Sequence, residues 1–454
     1  MKLQKVKEKL LKKELQQTRK FKKEFKKKED KNINELKIIG VTGSTGKSST
    51  CVMLHEYLKS LGYKSVLYSS AMVDSPVTYI DKTIGIEIAL RSEQDLFNII
   101  EEVEAYEADY LILEVNESVL EKHILDDIDF DVKVLTNLNP FHSEENYSEE
   151  EYVELKKSFF RNTNKDTKCV IGFQCYNEKL LNELLKLTSH NDKYLFSTDH
   201  ILKTYQVNKN FFDVVLQELF LTLDGLNMEV KVSDEVINFK TKLLMKYNAF
   251  NILATITTLQ ALNLFDVDKF KDVIYDIKVG GRSEVINMNN RLILIDTQLD
   301  KPLECLKELK EKGLINQIKV VVGSVGYGYK HWDEKFKSEE YINSRVKYRK
   351  YAMGLLKDVD YVYLTECDSG AEDVQQICLN LKSYLGETVN SEIILDRVEA
   401  IKEAITCSNE KDAIFIAGRG NKRTLCDGEE SMKFFKDSEI VEEVLEELTE
   451  KGWF

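Results

Sequence analysis

Proline is scarce in this chain, with three residues among 454. Long proline-rich linkers are therefore not expected, and a hydrophobic content of 43% is enough for sizeable cores. No apolar run approaches the ~20 residues that a membrane-spanning helix needs. The N-terminus is rich in lysine and lacks an apolar core segment, so we expect no signal peptide and a cytoplasmic protein.

Cysteine pairs of the C-x-x-C type are also missing, since the eight cysteines are scattered along the chain. This spacing argues against a zinc site and against a disulfide framework, and it is typical of reduced thiols. Only six histidines are present. The length predicts about two to three domains.

Basic residues are concentrated at the N-terminus. Residues 1–31 hold fourteen Lys and Arg against five Asp and Glu, although the whole chain has a net charge of −14. The acidic remainder does not suggest nucleic acid as a partner. Leucines at helical spacing predict one basic helical segment over residues 1–36. It is either a docking helix for a membrane surface or partner protein, or a solvated helix packed along its own protein.

From residue 37 onward, short apolar segments alternate with helical patterns, which predicts an α/β fold. We expect a central P-loop domain with a mainly parallel sheet over residues 37–281, extended by antiparallel strands within 194–245. A second alternating set predicts a Rossmann-like C-terminal domain over residues 282–454.

The stretch KIIGVTGSTGKSS, residues 37–49, predicts a phosphate-binding loop. An apolar strand runs into a glycine-rich turn, and a helical pattern begins at Lys47. Glycines let backbone N–H groups approach phosphates, the helix dipole favours their charge, and Lys47 would reach the β and γ oxygens. The Ser48 hydroxyl would bind Mg²⁺. The alternative is a glycine-rich turn that arose by chance.

Two residues that follow predicted strands are candidate Mg²⁺ ligands. Glu114 lies at the carboxyl end of the apolar segment 110–115, the edge where open α/β sheets bind ligands. Mg²⁺ prefers one or two carboxylates together with phosphate oxygens. His142 follows the predicted strand 132–138 in a loop. An ordinary strand-end acid and an inert loop histidine are the alternatives, and Glu117 is a less certain candidate.

Lys156 lies in the segment EYVELKKSFF. Ser148 and Glu151 form a capping-box pattern that predicts a helix from there to residue 160. Periodicity alone predicts that Lys156 and its neighbour Lys157 are both solvated surface charges, and nothing in the bare chemistry distinguishes them.

Eight short motifs in chain order resemble those of the Mur ligase family. They are GVTGSTGKSS, LEVNES, TNLNPFH, EYVELKKSFF, YNAFNILAT, GGRSEVI, DRVEAI and IAGRGNK, within about residues 37–425. The chain is most similar to the members that add the third residue to UDP-N-acetylmuramoyl-dipeptide. This resemblance implies an ATP-dependent ligase that joins a carboxylate to an amine through an acyl phosphate and releases ADP and phosphate.

The resemblance also implies roles by position. In the nucleotide site it places Asn251 near the adenine, Arg282 between the two domains and Asp296 in a C-terminal loop. It also assigns nucleotide binding to the residues of the phosphate loop, Gly43, Ser44, Thr45, Gly46, Lys47, Ser48 and Ser49. The implied ligands of two Mg²⁺ ions are Ser48, Glu114, His142 and a carbamylated Lys156. The implied catalytic residues are Lys47, Lys156, His142 and Arg282.

The segments that recognise the substrates in this family differ in this sequence. From the resemblance we expect no counterpart of the family's N-terminal UDP-sugar-binding domain in this sequence, where the basic segment 1–36 stands in its place. The loop at 296–299 lacks the family's histidine, and the specificity motif near 367–370 lacks its arginine. The ATP-handling motifs are kept, so the resemblance predicts the chemistry but names neither the acceptor acid nor the amine.

Two alternatives to this function stay open. One is a folylpolyglutamate or poly-γ-glutamate type ligase with the same chemistry. The other is a non-catalytic nucleotide-binding partner protein, and the joint presence of Lys47, Glu114, His142 and Lys156 argues against it. For the ligase, the expected partners are a small-molecule or peptide acceptor acid and an amino acid.

Overall fold

The computed structural model describes most of the chain. The described residues are 36–76, 79–81, 90, 92–138, 147–161, 163–174, 178–279, 284–328, 338–387, 389–420, 422, 424–426, 428 and 431–452. His142, Arg282 and the predicted basic segment up to residue 35 lie outside them.

The strands of the described residues are numbered in chain order. They are β1 Lys37–Thr42, β2 Ser65–Tyr68, β3 Met72–Asp74, β4 Tyr79–Asp81, β5 Tyr110–Glu114, β6 Val132–Leu135, β7 Lys168–Gly172, β8 Lys193–Thr198, β9 Val214–Thr222, β10 Gly225–Val232, β11 Glu235–Thr241, β12 Glu284–Met288, β13 Arg291–Asp296, β14 Ile318–Val322, β15 Tyr361–Leu364, β16 Asn390–Ile393, β17 Ala413–Ala417, β18 Thr424–Cys426 and β19 Met432–Phe434.

The α-helices are numbered in the same way. They are α1 Lys47–Ser60, α2 Glu93–Tyr106, α3 Glu117–Glu121, α4 Glu149–Arg161, α5 Glu178–Leu187, α6 Asp199–Thr204, α7 Tyr247–Ala261, α8 Val267–Tyr275, α9 Asp300–Glu311, α10 Glu339–Leu355, α11 Val374–Leu385, α12 Arg397–Thr406 and α13 Asp437–Glu450.

The first sheet has eleven strands in the order β11-β10-β9-β8-β7-β6-β1-β5-β2-β3-β4. Its centre is parallel, because β1 pairs in parallel with both β5 and β6. Strands β9 to β11 pair antiparallel, as expected for the region 194–245. The chain runs from β1 to one side of the sheet first and to the other side later. The carboxyl ends of β1, β5 and β6 therefore form the crevice in which α/β sheets bind ligands.

Alternation along the central strands explains why helices cover both faces of this sheet. Ile39 and Val41 of β1 belong to one buried cluster with α1 and α7, whereas Ile38 belongs to a second cluster with α2 and α4. Residues that alternate along a strand point to opposite faces, so both faces must be buried.

The second sheet has six strands in the order β12-β13-β17-β14-β15-β16. All its pairings are parallel except that of the edge strand β12 with β13. The two sheets confirm the predicted α/β class. The predicted boundary at residues 281 and 282 lies outside the described residues and stays a prediction. No helix in the described residues is both long and apolar enough to cross a bilayer.

Candidate phosphate-binding and metal site

A four-residue turn, Gly43 to Gly46, connects β1 to α1. Both glycines have positive φ angles, +150° at Gly43 and +80° at Gly46, which side-chain-bearing residues rarely adopt. Gly46 caps α1 without any side-chain hydrogen bond, and the first helical turn carries no acidic residue. The first N–H groups of a helix need hydrogen-bond partners from outside the helix. No side chain supplies one here, so this N-terminus is suited to binding a phosphate.

The carboxyl end of β6 holds the turn in place. The Thr136 hydroxyl donates to the Thr45 carbonyl over 2.6 Å, and the Asn137 side-chain amide donates to the same carbonyl over 2.9 Å. The Thr45 N–H donates back to the Asn137 side-chain oxygen over 3.1 Å, and the Ser44 N–H donates to the Asn137 carbonyl over 3.1 Å. The loop is therefore fixed in shape before any ligand contacts it.

Two glycines are required because the walls of the loop are so close. A Cβ on Gly43 would lie 2.0 Å from the Thr136 hydroxyl oxygen, and a Cβ on Gly46 would lie 2.0 Å from the Asn251 side-chain oxygen. Asn251 is buried on α7 and donates to the Asn248 side chain over 3.1 Å. The structure thus brings Asn251 to the phosphate loop, and its predicted position beside an adenine stays a prediction.

Lys47, the first residue of α1, lies over the turn. Its Nζ donates to the Gly43 carbonyl over 2.9 Å and to the Ser44 carbonyl over 3.4 Å. The same Nζ lies 3.9 Å from a carboxylate oxygen of Glu117. The cation is therefore held at the loop where phosphate oxygens would be bound.

Ser48 and Glu114 meet as the sequence predicts. The Ser48 hydroxyl donates to the Glu114 carboxylate over 2.9 Å. The backbone N–H of Ser70, which follows β2, donates to the same carboxylate oxygen over 2.7 Å. A hydroxyl and a carboxylate beside a phosphate loop are the oxygen ligands that Mg²⁺ takes together with phosphate oxygens. The residues present therefore fit Mg²⁺, although the described residues contain no group of three or more His, Cys, Asp or Glu side chains that could hold a metal alone.

Lys156 is buried, so the expectation of a solvated surface charge is wrong for it. Only 1% of its side chain is exposed, and its Nζ lies 2.7 Å from a Glu117 carboxylate oxygen. The Nζ also donates to the Thr42 hydroxyl over 3.1 Å. Burial and the neighbouring Lys47 lower the pKa of Lys156 to about 7, against the opposite effect of Glu117. The capping box is confirmed, since the Ser148 N–H donates to Glu151 over 2.8 Å and the Glu151 N–H donates to the Ser148 hydroxyl over 3.3 Å.

The remaining predicted site residues are placed less closely together. Ser49 is buried in the first turn of α1. Asp296 ends β13 in the second sheet and accepts the Gln298 N–H over 2.8 Å. His142 and Arg282 lie outside the described residues, so their predicted roles stay predictions.

Several residues that shape the site were not predicted. Thr136, Asn137 and Ser70 all follow strands at the same sheet edge, which is a signal that sequence reading could have used. The Tyr152 hydroxyl oxygen lies 2.9 Å from the Ser44 hydroxyl oxygen and 3.3 Å from a Glu117 carboxylate oxygen. No local pattern predicts such contacts between distant segments.

Residues 41–259 match the family described as the Mur ligase middle domain. A UDP-N-acetylmuramoyl-L-alanyl-D-glutamate–2,6-diaminopimelate ligase of Caldanaerobacter subterraneus subsp. tengcongensis is 26% identical in an alignment 429 positions long that covers 91% of this chain and 79% of the relative. A UDP-N-acetylmuramyl-tripeptide synthetase of Ligilactobacillus salivarius is also 26% identical, over 91% of this chain and 80% of the relative.

A solved structure of a UDP-N-acetylmuramoyl-L-alanyl-D-glutamate–2,6-diaminopimelate ligase has the same fold. It superposes with a TM-score of 0.64 at 21% identity and covers 91% of this chain and 79% of its own. The structure of a MurF ligase from Thermotoga maritima in complex with ADP gives a TM-score of 0.55 at 17% identity, over 91% of this chain and 80% of its own.

Proposed function

We propose that the chain, which the Mur ligase middle-domain family matches over residues 41–259, is an ATP-dependent, ADP-forming amide ligase of the Mur ligase family, and that the pocket around Lys47 and Lys156 is its active site. In the proposed reaction an acceptor carboxylate oxygen attacks the γ-phosphorus of ATP, and ADP leaves. The amine of the second substrate then attacks the acyl phosphate carbon, and phosphate leaves as the amide bond forms.

The observation that carries this proposal is the convergence of Lys47, the Ser48–Glu114 pair and Lys156 at one sheet edge. The N-terminus of α1 would bind the phosphates of ATP, and the Lys47 cation would offset the charge on the transferring phosphoryl group. Ser48 and Glu114 would hold Mg²⁺, which supplies electrostatic stabilisation of that charge. Walls that are already fixed avoid a cost of reorganisation during the reaction.

Carbamylation of Lys156 is part of the proposal. The neutral amine of a lysine reacts with CO₂ to give an anionic, carboxylate-like group that binds metal ions. The low pKa of Lys156, about 7, supports this role because it makes the neutral amine accessible near neutral pH. His142 would complete the second Mg²⁺ site, and Arg282, Asn251 and Asp296 would contact the nucleotide.

The substrates are proposed by chemical class. The acceptor is a small-molecule or peptide carboxylic acid, and the amine is that of an amino acid. The basic segment 1–36 is proposed to contact an anionic membrane surface or a partner protein in the cytoplasm. The first relative named above has 2,6-diaminopimelate in its name, so this diamino acid is a first amine to test.

The test is ADP release from ATP with a panel of acceptor acids and amines, followed by mass spectrometry of the product. We expect turnover that needs one acid and one amine together. Lys47→Ala should abolish it, whereas Lys59→Ala, at the other end of α1, should not. ATP binding without turnover for every pair would instead favour a non-catalytic nucleotide-binding protein, and unchanged turnover in folded Lys47→Ala would contradict the site.

A further inference from the structure

Glu117 lies between the two lysines of the pocket. Its carboxylate oxygen Oε1 is 2.7 Å from the Lys156 Nζ and 3.9 Å from the Lys47 Nζ. Burial raises the pKa of the Glu117 carboxyl, but Lys47 and Lys156 together outweigh it and lower this pKa to about 2. About a quarter of the Glu117 side chain, 26%, is exposed to solvent. In the sequence, this residue is only a less certain candidate for a Mg²⁺ ligand.

Glu117 is carried by the same short segment as Glu114. It begins α3, three residues after Glu114 ends β5, and the Asn116 side chain caps this helix by accepting the Val119 N–H over 3.1 Å. The Thr42 hydroxyl of β1 donates to the Val115 carbonyl over 2.8 Å. The two carboxylates are therefore held at one rim, one bound to Ser48 and the other to Lys156.

Glu117 occupies the space that a carbamate on Lys156 would need. The oxygens of a carbamate lie within hydrogen-bond reach of the nitrogen that carries them, and a Glu117 oxygen is already 2.7 Å from that nitrogen. A carbamate and the Glu117 carboxylate would also both be anions. They can lie side by side only if a cation lies between them, because two uncompensated like charges in a buried pocket repel strongly.

We propose that Glu117 changes its partner in this pocket. It forms an ion pair with the unmodified Lys156, and it ligates a divalent cation together with the carbamylated Lys156. The inference rests on the proposed function of the same site. In the covalent step the Lys156 ammonium gives one proton to solvent and its lone pair attacks the carbon of CO₂. The N–C bond forms as one C=O electron pair moves to oxygen, and the nitrogen releases a second proton.

Charge balance makes the two events depend on each other. Carbamylation changes Lys156 from a cation to an anion, which is a change of two charges, and one divalent cation compensates for it. Either event alone leaves an excess of two charges in the pocket, which is costly where water is largely excluded. Carbamylation should therefore favour cation binding, and cation binding should favour carbamylation to the same extent.

The test compares the wild-type protein with Glu117→Gln and with Glu121→Gln as the matched control. Glu121 ends the same helix α3 but is exposed and accepts a hydrogen bond from Tyr147 over 3.1 Å. The carbamate is quantified by ¹³C NMR with labelled bicarbonate, with and without Mg²⁺ and a non-hydrolysable ATP analogue. Cation binding is measured separately by EPR titration with Mn²⁺ and the same analogue.

In the wild type and in Glu121→Gln, we expect the carbamate signal to rise when Mg²⁺ is added. In Glu117→Gln the Mn²⁺ affinity of the site at Lys156 should fall at least about tenfold, as is usual when a metal ligand or a residue that orients a ligand is lost. In this variant the carbamate should form without Mg²⁺, because the competing carboxylate of Glu117 is gone. The carbamate signal should then change little when Mg²⁺ is added. Glu117→Asp, which keeps the charge, should restore part of the linkage.

Equal carbamate linkage and equal Mn²⁺ affinity in folded Glu117→Gln and the wild type would overturn the inference while leaving the ligase function intact. Absence of a carbamate signal in the wild type under all conditions would overturn both this inference and the carbamylation of Lys156. Absence of ATP turnover with every substrate pair would instead count against the proposed function. If Glu117→Gln does not fold, Glu117→Asp decides. Its shorter side chain should weaken the Mn²⁺ affinity and the linkage in part, and wild-type values of both would overturn the inference.

Discussion

Gly46 and Asn251 are in such close contact that a Cβ on the glycine would lie 2.0 Å from the asparagine side-chain oxygen. The first residue ends the phosphate loop and the second lies on α7, about 200 positions later in the chain. The Asn248 side chain fixes Asn251 through a hydrogen bond of 3.1 Å. The conformation of the loop is therefore determined by a helix that the loop meets only in the folded protein.

Gly46→Ala should consequently abolish nucleotide binding. The matched control is Gly62→Ala, because Gly62 also has a positive φ, +88°, but has no atom within 4 Å of an added Cβ. Both variants should lose roughly 1 kcal/mol of stability from the left-handed backbone, and only Gly46→Ala should also disturb the loop. The measurements are urea unfolding and titration with a fluorescent ATP analogue. Equal nucleotide affinities in the two variants would show that the contact with Asn251 is unimportant.

Glu114→Gln should raise the Mg²⁺ concentration needed for half-maximal ADP release. The substitution keeps the shape of the side chain but removes the negative charge of the carboxylate, which accepts a hydrogen bond from the Ser48 hydroxyl over 2.9 Å. We expect the required Mg²⁺ concentration to rise about tenfold or more. Ser70→Ala is the control, since it removes the hydroxyl that contacts Glu114 over 3.0 Å but keeps the carboxylate and the Ser70 N–H. A Mg²⁺ dependence that is the same in both variants would remove Glu114 from the metal site.

A buried histidine gives a prediction on stability and pH. His55 hydrogen-bonds to the Asp74 carboxylate over 2.9 Å, and Lys59 donates to the same oxygen over 2.9 Å. His55, with a further contribution from Lys59, lowers the pKa of Asp74 from 3.8 to about 2, although burial raises it. Because the pKa is lower in the folded state, the stabilisation is complete above pH 4 and is lost as the pH falls towards 2.

Asp74→Asn should therefore reduce the free energy of unfolding at pH 7 by about 1 kcal/mol, a value that allows for solvent screening. The difference from wild type should shrink in urea unfolding experiments between pH 4 and pH 2.5. Asp126→Asn is the control, because Asp126 pairs with an exposed histidine, His123, at 3.0 Å. A difference for Asp74→Asn that grows as the pH falls would contradict the assigned direction.

Sequence reading predicted those parts of the site that depend on local pattern. The strand, turn and helix around Lys47 follow from adjacent residues, and the Ser48–Glu114 pair follows from the rule that strand ends meet at one edge. The burial of Lys156 had a local signal that was missed. Tyr152, Lys156, Phe159 and Phe160 are all buried on α4 at helical spacing, so the lysine lies on the apolar face of the helix.

The contacts that no pattern predicts join distant segments. Glu117 and Lys156 are separated by almost forty residues, and they meet only because α3 and α4 pack against each other at the sheet edge. Asn251 reaches Gly46 through the packing of α7 against α1 in the same way. Each distance depends on the folded arrangement of whole helices, which periodicity within one segment does not contain.

Lys156 and Lys157 are adjacent in sequence but differ in environment. Only 1% of the Lys156 side chain is exposed, and it pairs with Glu117 inside the pocket. Lys157 is 13% exposed and pairs instead with Glu154 of α4 and Glu183 of α5. Successive residues of an α-helix point about 100° apart, so the two lysines cannot share a face.

Lys156→Ala should lower the rate of ADP release at least about 100-fold, because it removes a charged group beside the transferring phosphoryl group. Lys157→Ala should stay within about twofold of wild type, as is usual for a surface ion pair. Bicarbonate or a small carboxylic acid such as acetate should restore part of the rate in Lys156→Ala if the missing group is a carboxylate-like metal ligand. Circular dichroism is needed for both variants, since Lys156→Ala leaves Glu117 without its partner. Small and equal effects of the two substitutions in folded protein would refute the role of Lys156, and with it the position of the active site at this edge of the sheet.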